Sequence, residues 1–381
     1  MSDTEIFVNP ARLRPATPDQ LTPAGPSPRA FHRKLPGYVP TPLLDAPSLA
    51  ASLGVGRVWV KDESARLGLP AFKMLGASWA AYRLVVDRLG HEPPWSTVDE
   101  LAEALVAMGP LSLVAATDGN HGRAVARTAR LFGLRAEILV PAGTAAARID
   151  AIASEGSEVT VVDGTYDQAV EIAAARASHD HVVVSDTSWP GYTVIPGWVI
   201  DAYATIFDEV GEQLDAAAAP APHVVVAQVG VGALAAAAIR YRWHGVASDP
   251  RIVVVEPLSA ACAMRSVQAG HPVEVPGPHR SLMAGLNCGR VSDLAWPDLQ
   301  RGADVFVAIA DGAAERAMVD LDTIGVTAGE TGGSGLAGLR SLVEVAPDLV
   351  AADAAVLVIN TEGATDPTSY HRIVGHPPAG V

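Results

Sequence analysis

The chain has 381 residues, of which 49% are apolar, and a formal net charge of −15. This length suits two folded lobes, because a single hydrophobic core rarely grows so large. So acidic a surface argues against nucleic acid or an anionic membrane as a partner. The first residues lack the basic start and apolar segment of a signal peptide, and the longest apolar run, near residues 224–239, is interrupted by glycines. We therefore expect a soluble cytoplasmic protein.

The order of predicted elements indicates an α/β fold. The first 40 residues are rich in proline and predict an irregular arm. Beyond this arm, short β-branched runs alternate with alanine-rich stretches, a pattern typical of parallel sheets with helices on both faces. Predicted strands cover residues 57–61, 113–116, 137–140, 159–162, 182–185, 224–226, 252–255, 305–308 and 356–359, and predicted helices include 72–84, 145–155, 166–178 and one that starts near 123.

Lys73 stands out because the chain has only three lysines against 24 arginines, and this one lies between Phe72 and Met74. Arginine keeps its proton at any usable pH, whereas a partly desolvated lysine becomes a nucleophilic amine. That chemistry suits a Schiff base with a carbonyl cofactor. The alternative is a helical lysine whose stem covers apolar surface while its ammonium reaches water. Lys34 and Lys61 are weaker candidates for the same role.

A first glycine-rich turn, Thr117-Asp118-Gly119-Asn120-His121-Gly122, follows a predicted strand. Its glycines let backbone amides converge on an anion at the start of a helix. Asn120 offers both a donor and an acceptor, and Asp118 is a potential base. The alternative is an ordinary turn that one of these two side chains caps.

A second glycine turn also follows a strand and leads into an alanine-rich helix. Backbone amides and a helix dipole hold a phosphate in this way. The turn also matches a dinucleotide-binding fingerprint, and Glu256 ends a strand 24 residues after its second glycine. A nicotinamide-dependent oxidoreductase is therefore an alternative function. The residues of this phosphate loop are Gly230, Val231, Gly232, Ala233 and Leu234.

A third glycine-containing turn follows the predicted strand at residues 356–359 and includes Thr361. The hydroxyl of Thr361 could donate to a heteroaromatic nitrogen or cap the next turn. The two cysteines, Cys262 and Cys288, lie 26 residues apart without a metal-binding pattern. In a cytosolic protein such thiols are by default unpaired.

The order of these segments resembles the fold-type-II pyridoxal-phosphate enzymes and, within them, the diaminopropionate ammonia-lyase family. The most specific strings are Thr-Asp-Gly-Asn-His-Gly-Arg at residues 117–123 and Thr-Glu-Gly-Ala-Thr-Asp-Pro at 361–367. The likeness spans about residues 30–375, with further matching segments at 61–64, 71–76, 186–192, 195–198, 283–286 and 329–332. The chain departs from the usual pattern at Pro70 and Asn360.

This resemblance implies a tryptophan synthase β-like fold of two lobes, each a mostly parallel twisted sheet flanked by helices. The larger lobe would comprise residues 1–80 and 205–381, with the N-terminal arm, the phosphate loop and the contact to the pyridine nitrogen. The smaller lobe, residues 81–204, would carry the Asn120 turn. A homodimer is implied as well. The resemblance further implies that Cys262 and Cys288 form a pair near the entrance of the active site.

The resemblance also implies how pyridoxal 5′-phosphate is held. Lys73 would carry it as a Schiff base, with Phe72 beside it, and would then serve as base for the α-proton. Asn120 would bond its phenolic oxygen, the phosphate loop its phosphate, and Thr361 its pyridine nitrogen. A hydroxyl at that nitrogen leaves the ring largely unprotonated, which favours elimination over transamination.

Two carboxylates complete the implied site. Asp118 would be a second base on the opposite face, able to deprotonate a D-substrate. Asp186 would hold or protonate the leaving β-amine, although a turn cap is the alternative for this residue. The implied reaction is α,β-elimination of 2,3-diaminopropionate to pyruvate and two ammonia. A serine or threonine dehydratase and a β-replacement enzyme remain as alternatives within the class.

Overall fold

The computed structural model describes residues 3–13, 27–117, 119–243 and 249–378. Within these ranges the strands are β1 (Thr4–Val8), β2 (Leu43–Asp45), β3 (Arg57–Asp62), β4 (Ser112–Ala116), β5 (Arg135–Pro141), β6 (Glu158–Val162), β7 (His181–Val183), β8 (Val224–Gln228), β9 (Arg251–Pro257), β10 (Val305–Ile309) and β11 (Ala355–Asn360). The helices are α1 (Pro28–His32), α2 (Pro47–Leu53), α3 (Lys73–Leu89), α4 (Val98–Val106), α5 (Asn120–Leu131), α6 (Ala146–Ala153), α7 (Tyr166–Ala175), α8 (Val194–Ala202), α9 (Ala204–Ala216), α10 (Ala233–Trp243), α11 (Cys262–Ala269), α12 (Trp296–Gly302), α13 (Asp311–Asp322), α14 (Glu330–Val345) and α15 (Pro367–Val374).

The chain forms two compact units, and the larger consists of Met1–Gly25, Pro40–Ala65 and Tyr203–Val381. Its seven strands follow the order β1-β10-β9-β8-β11-β3-β2. The inner pairs are parallel, and only the two edge strands, β1 and β2, run antiparallel to their neighbours. This arrangement confirms the predicted mostly parallel sheet.

The central strands of this sheet are buried along their whole length, as parallel strands covered on both faces should be. Every residue of β8, β10 and β11 is buried, and their sequences are almost entirely Val, Ile, Leu and Ala. Helix α14 packs directly on them. Gly338 lets α14 also approach the neighbouring strand β9, since a Cβ at that position would lie 2.2 Å from Val255 Cγ2.

The smaller unit consists of Pro26–Val39 and Arg66–Ala202. Its four strands are parallel in the order β6-β5-β4-β7. An aromatic cluster joins α1 to α3, with the ring of Phe31 stacked on Tyr82 at 4.6 Å and tilted against Trp79 at 5.5 Å. Each unit thus has its own parallel sheet and helical cover, which confirms the predicted fold class.

The structure differs from the sequence prediction at the N-terminal arm. Thr4–Val8 is a regular strand, paired antiparallel with β10 from Thr4↔Ile309 to Val8↔Val305. The prediction of a wholly irregular arm was therefore wrong for this segment, because a partner about 300 residues away leaves no local signal.

The division into units also differs from the predicted lobes. Residues 26–39 and 66–80 join the smaller unit, because α3 packs on α1, α5 and α8.

Among the described residues, no helix combines the length and the apolar character that a bilayer-spanning segment requires.

Candidate active site

Lys73 begins helix α3 and lies in the smaller unit. Its Nζ donates a hydrogen bond to Oδ2 of Asp186 at 2.5 Å, and it stands 5.2 Å from the centre of the Phe72 ring. The Lys73 side chain is 20% exposed and that of Asp186 is 9% exposed. The amine therefore contacts a nearly buried carboxylate. It does not extend into water, as it would in a lysine that only covers apolar surface with its stem.

The carboxylate of Asp186 is held in its ionised form. Burial alone would raise its pKa, but the charges of Lys73 and His121 and the hydrogen bond from Lys73 outweigh this effect. The pKa of Asp186 consequently lies well below its usual range. An ionised carboxylate attracts a cation and cannot donate a proton at neutral pH. Of the two predicted roles, holding the leaving amine agrees with this charge state better than protonating it does.

Tyr192 fixes the segment that carries Asp186, and the sequence analysis did not single it out. Its hydroxyl accepts a hydrogen bond from the Ser185 amide at 3.0 Å and donates one to the Val183 carbonyl at 2.8 Å. Its ring stacks on Trp189 at 4.2 Å. Burial raises the pKa of Tyr192, so the hydroxyl keeps its proton. The matching segment 186–192 already contained this tyrosine, but nothing in the sequence linked it to Asp186.

The Asn120 turn is organised by the side chain of Thr117. Its Oγ1 accepts hydrogen bonds from the amides of Gly119 at 2.9 Å and Gly122 at 3.1 Å. Gly119 has a φ of 152°, a conformation that favours glycine. A Cβ on Gly122 would lie 2.3 Å from Cγ2 of Thr117, so this position requires glycine as well. The turn thus brings Asn120 to the head of α5.

Helix α5 begins at Asn120, earlier than the predicted start near residue 123. The reason is that the Arg123 amide already bonds to the carbonyl of Gly119 at 3.0 Å, which closes the first helical turn. Asp118, the predicted second base, lies outside the described residues.

The phosphate loop joins β8 to α10 in the larger unit. The amide of Ala236 donates to the carbonyl of Gly232 at 2.9 Å, which is the first helical bond. The amides of Ala233 and Leu234 precede that bond and have no acceptor within the helix, as at every helix N-terminus. A Cβ on Gly230 would lie 2.7 Å from the carbonyl oxygen of Gly285. The loop is a tight glycine cradle with backbone amides of the kind that binds anions.

Both cysteines lie close to Gly230. Cys262 Sγ is 3.7 Å from the carbonyl oxygen of Gly230, and Cys288 Sγ is 3.2 Å from the point where a Cβ on Gly230 would stand. Neither forms a disulfide bond in this structure. Burial and the neighbouring Glu256 and Cys288 raise the pKa of Cys262, which keeps it a thiol. The implied pair is thus close in space at the phosphate loop but is not a disulfide here.

Thr361 follows β11 and is 2% exposed. Its hydroxyl lies 3.5 Å from the carbonyl oxygen of Thr331, at the limit of a hydrogen bond. The following helix, α15, is capped by Asp366, which accepts bonds from the amides of Thr368 and Ser369. Thr361 therefore does not provide that cap.

Gln228 is a second residue that the sequence analysis missed. Its side-chain amide donates to the carbonyl oxygens of Ile359 at 2.7 Å and Gly332 at 3.0 Å. It is the last residue of β8, directly before the turn that carries the phosphate loop. It therefore ties that end of β8 to the end of β11 beside Thr361.

The contacts of Glu256 argue against the alternative of a nicotinamide-dependent oxidoreductase. It is completely buried, and its two oxygens accept hydrogen bonds from the amides of Ala263 at 2.7 Å and Met264 at 2.9 Å. Both amides lie in the first turn of α11, so the carboxylate serves this helix and is not available for the hydroxyls of a ribose. The dinucleotide fingerprint thus lacks its acidic partner.

Comparison with known proteins agrees with this geometry. Residues 34–362 match the pyridoxal-phosphate dependent enzyme family. The chain belongs to this family. It is 38% identical over 362 residues to diaminopropionate ammonia-lyase of Escherichia coli K12, covering 91% of this chain and 90% of that protein.

Solved structures of the Escherichia coli diaminopropionate ammonia-lyase resemble the whole chain. The selenomethionine holo form has a TM-score of 0.87 at 35% identity, covering 97% of this chain and 96% of the other. The complex with an aminoacrylate-PLP azomethine reaction intermediate has a TM-score of 0.86, with the same identity and coverage. The predicted family and its cofactor, pyridoxal phosphate, are thereby confirmed.

The residues of this structure fit that cofactor. Pyridoxal phosphate presents an aldehyde, a phosphate and a ring nitrogen. The smaller unit offers the amine of Lys73 at a nearly buried carboxylate. The larger unit offers the glycine cradle at residues 230–234 and the buried hydroxyl of Thr361. The chain thus contains a chemically matched group for each polar group of the cofactor.

Proposed function

We propose that this protein catalyses the α,β-elimination of 2,3-diaminopropionate, which with one water yields pyruvate and two molecules of ammonia. The observation that carries the proposal is the 2.5 Å contact between Lys73 Nζ and the ionised Asp186. It occurs in a chain that aligns over nine-tenths of its length with a diaminopropionate ammonia-lyase.

In this proposal each of the predicted site residues has a defined role toward the cofactor. Lys73 is its covalent anchor, Phe72 lies beside it, and Asn120 binds its phenolic oxygen. The phosphate loop binds the phosphate through backbone amides, including those of Ala233 and Leu234. Thr361 meets the pyridine nitrogen with a hydroxyl, which does not force a proton onto the ring as a carboxylate would.

The bound cofactor supplies an electron sink that makes the α-proton of an amino acid acidic and lets the β-substituent leave. The chain supplies the groups that move protons and hold charge. Lys73 Nζ takes the α-proton on one face of the substrate. Asp118 takes it on the opposite face, which would allow both enantiomers to react. Asp186 holds the β-ammonium group through its carboxylate until it departs as ammonia.

The charge of Asp186 favours diaminopropionate over serine or threonine. A β-ammonium already carries the proton with which it leaves, so it needs an anion to hold it. A β-hydroxyl must receive a proton before it can leave as water, and an ionised carboxylate with a strongly lowered pKa does not provide one. This difference supports an ammonia-lyase over a dehydratase.

We further propose a cytoplasmic homodimer with no nucleic-acid or membrane partner, as the family resemblance and the net charge of −15 suggest. Light scattering on the purified protein tests the dimer directly.

The function is tested by supplying purified holoenzyme with 2,3-diaminopropionate, serine and threonine, and measuring keto acid and ammonia separately. We expect visible absorbance from bound cofactor and two ammonia per pyruvate from diaminopropionate. Faster turnover of serine or threonine, with one ammonia per keto acid, would assign a dehydratase instead. Consumption of an added nucleophile without pyruvate would assign a β-replacement enzyme.

A further inference from the structure

The hydroxyl of Thr361 has one acceptor within reach in the described part of the larger unit. That acceptor is the carbonyl oxygen of Thr331, which lies in the first turn of α14. The distance from Thr361 Oγ1 to this oxygen is 3.5 Å, at the limit of a hydrogen bond. Whether Thr361 directs its hydrogen there therefore depends on how fully other donors occupy the Thr331 carbonyl.

Ser334 is the side chain that occupies this carbonyl. It is completely buried, and its Oγ donates to the Thr331 oxygen at 2.7 Å, much closer than the hydroxyl of Thr361. Within α14 the same carbonyl also accepts from the amide of Gly335, four residues further along the helix. A carbonyl oxygen has two lone pairs. Ser334 and the helix amide together fill both of them.

Gln228 does not take the place of Ser334 at this carbonyl. Its side-chain nitrogen has two hydrogens and lies near three carbonyl oxygens. The shorter distances are 2.7 Å to Ile359 and 3.0 Å to Gly332, whereas the Thr331 oxygen is 3.4 Å away. The two hydrogens are therefore used by Ile359 and Gly332. Among the described side chains, Ser334 is thus the strong donor to Thr331.

We propose that Ser334 is a positioning residue for the hydroxyl of Thr361. A threonine hydroxyl has one hydrogen, which it donates to one strong acceptor at a time. Because Ser334 saturates the Thr331 carbonyl, this hydrogen stays available for the ring nitrogen of pyridoxal phosphate. The inference rests on the role proposed above for Thr361 at that nitrogen, and it does not depend on which amino acid is the substrate.

Loss of the Ser334 hydroxyl should redirect the hydrogen of Thr361. The Thr331 carbonyl would then have an unfilled lone pair in a buried setting, and an unsatisfied buried acceptor is costly. The hydroxyl of Thr361 already lies 3.5 Å away and can fill that lone pair by a small shift. The ring nitrogen of the cofactor would consequently lose its donor.

The test uses pyridoxal phosphate labelled with ¹⁵N at its ring nitrogen, bound to the unaltered protein, Ser334→Ala, Thr361→Val and the double variant. A hydrogen bond to this nitrogen changes its chemical shift, so the signal reports the donor without any turnover. We expect both single variants to move the signal toward that of a nitrogen without a donor. Each should also bind the cofactor about fivefold more weakly, the effect of one lost hydrogen bond. In the Thr361→Val background, Ser334→Ala should cause no further shift.

Ser266→Ala is the matched control. Ser266 also lies in the larger unit, is completely buried, and donates to the carbonyl oxygen of Cys262 at 2.7 Å. This control removes the same kind of bond from another helix, so it should lower the melting temperature without shifting the ring-nitrogen signal. Ser334→Cys is a second variant, because a thiol fills the space of the hydroxyl but donates weakly. It should shift the signal in the same direction as Ser334→Ala.

The outcomes separate this role from the proposed function. If Thr361→Val shifts the signal and neither Ser334 variant does, the positioning role is overturned. An equal shift in Ser266→Ala, or a further shift in the double variant, would also overturn it, since Ser334 would then act independently of Thr361. An unchanged signal in Thr361→Val would show that Thr361 does not meet the nitrogen, and the inference would fail with that assignment. If the unaltered enzyme releases no ammonia from diaminopropionate while the signals shift as expected, the proposed elimination fails and the role of Ser334 stands.

Discussion

Lys61 donates a hydrogen bond from Nζ to Oε2 of Glu209 at 2.7 Å, and both side chains are completely buried. The same ammonium also donates to the carbonyl oxygen of Thr41 at 2.7 Å. Breaking such a buried pair typically costs about 3–5 kcal/mol, because the remaining charge has no compensation. Lys61 is thus part of the interior of the larger unit. Lys34 is also engaged, since its Nζ donates to the carbonyl oxygen of Trp95 at 3.2 Å.

Because Lys61 and Lys34 are engaged in these contacts, Lys73 remains the best candidate for the cofactor anchor. We predict that Lys73→Ala abolishes the visible absorbance of the bound cofactor and essentially all turnover. Borohydride reduction followed by peptide mapping should place the cofactor on Lys73 alone. Lys34→Ala is the control and should keep the absorbance band. Recovery of the cofactor on Lys34 or Lys61 would show that the anchor has been assigned wrongly.

The hydroxyl of Thr361 provides a prediction about reaction type. Thr361→Asp would place a carboxylate at a position that is 2% exposed. A buried carboxylate is stabilised by a nearby positive charge, so it should favour protonation of the pyridine nitrogen. A protonated ring is a stronger electron sink, so partial transamination should rise relative to elimination. The measurement is the ratio of pyridoxamine phosphate to pyruvate formed. Thr361→Ser should leave that ratio unchanged. An unaltered ratio in the aspartate variant, with cofactor bound, would mean that Thr361 does not meet the nitrogen.

The sequence predicted those features whose causes are local. The run of Val and Ala in β8 and that of Val, Leu and Ile in β11 predicted buried parallel strands, and both were confirmed. The glycine turn between β8 and α10 could be predicted as well, since its glycines follow a strand and precede a helix within a few residues. Lys73 stood out in the sequence because a lysine in an apolar segment is unusual in this chain, and its role as cofactor anchor stays a prediction.

The features that the sequence did not reveal depend on distant contacts. Lys73 and Asp186 are 113 residues apart, and no local pattern joins them. His121 was read as part of the Asn120 turn, and its bond to Val184 spans 63 residues. The ionised state of Asp186 depends on its contact with Lys73, which the sequence does not show. The choice between holding and protonating the β-amine therefore required the structure.

Glu256 should make the stability of the protein depend on pH. Burial raises its pKa to about 7, although two backbone amides oppose the shift. A carboxyl whose pKa is higher in the folded than in the unfolded state stabilises the fold fully below the unfolded value. That stabilisation is lost as pH rises through the folded value. We therefore predict a loss of up to about 3 kcal/mol in the free energy of unfolding between about pH 4.5 and pH 8.

Urea unfolding at several pH values measures this dependence. Glu256→Gln removes the titrating group and should flatten the slope in this range, even if the variant is less stable throughout. Glu100→Gln is a suitable control, because its carboxyl lies on the surface and caps α4 through the amides of Ser96 and Thr97. A slope that persists unchanged in Glu256→Gln would assign the dependence to other groups.

The proposed second base, Asp118, yields the last prediction, which concerns stereochemistry. A single base reaches only one face of the bound substrate, so turnover of both enantiomers requires proton acceptors on both sides. Lys73 is proposed for one face. Asp118 directly precedes Gly119 and Asn120 in the chain and is proposed for the other. Removing a general base typically costs about 10²–10⁴ in rate. Asp118→Asn should therefore lower kcat/KM by that order for D-2,3-diaminopropionate and much less for the L-form.

Asp186→Asn provides the matched comparison, because both enantiomers present the same β-ammonium group to Asp186. We expect this variant to lose kcat/KM for the two enantiomers by similar factors, mainly through a raised KM. The decisive quantity is the ratio of the D-form to the L-form, measured for each variant against the unaltered enzyme. A ratio that changes in Asp118→Asn and stays constant in Asp186→Asn supports two bases. Equal losses for both enantiomers in Asp118→Asn would require the two-base mechanism to be abandoned, since a residue that only positions substrate serves both forms alike.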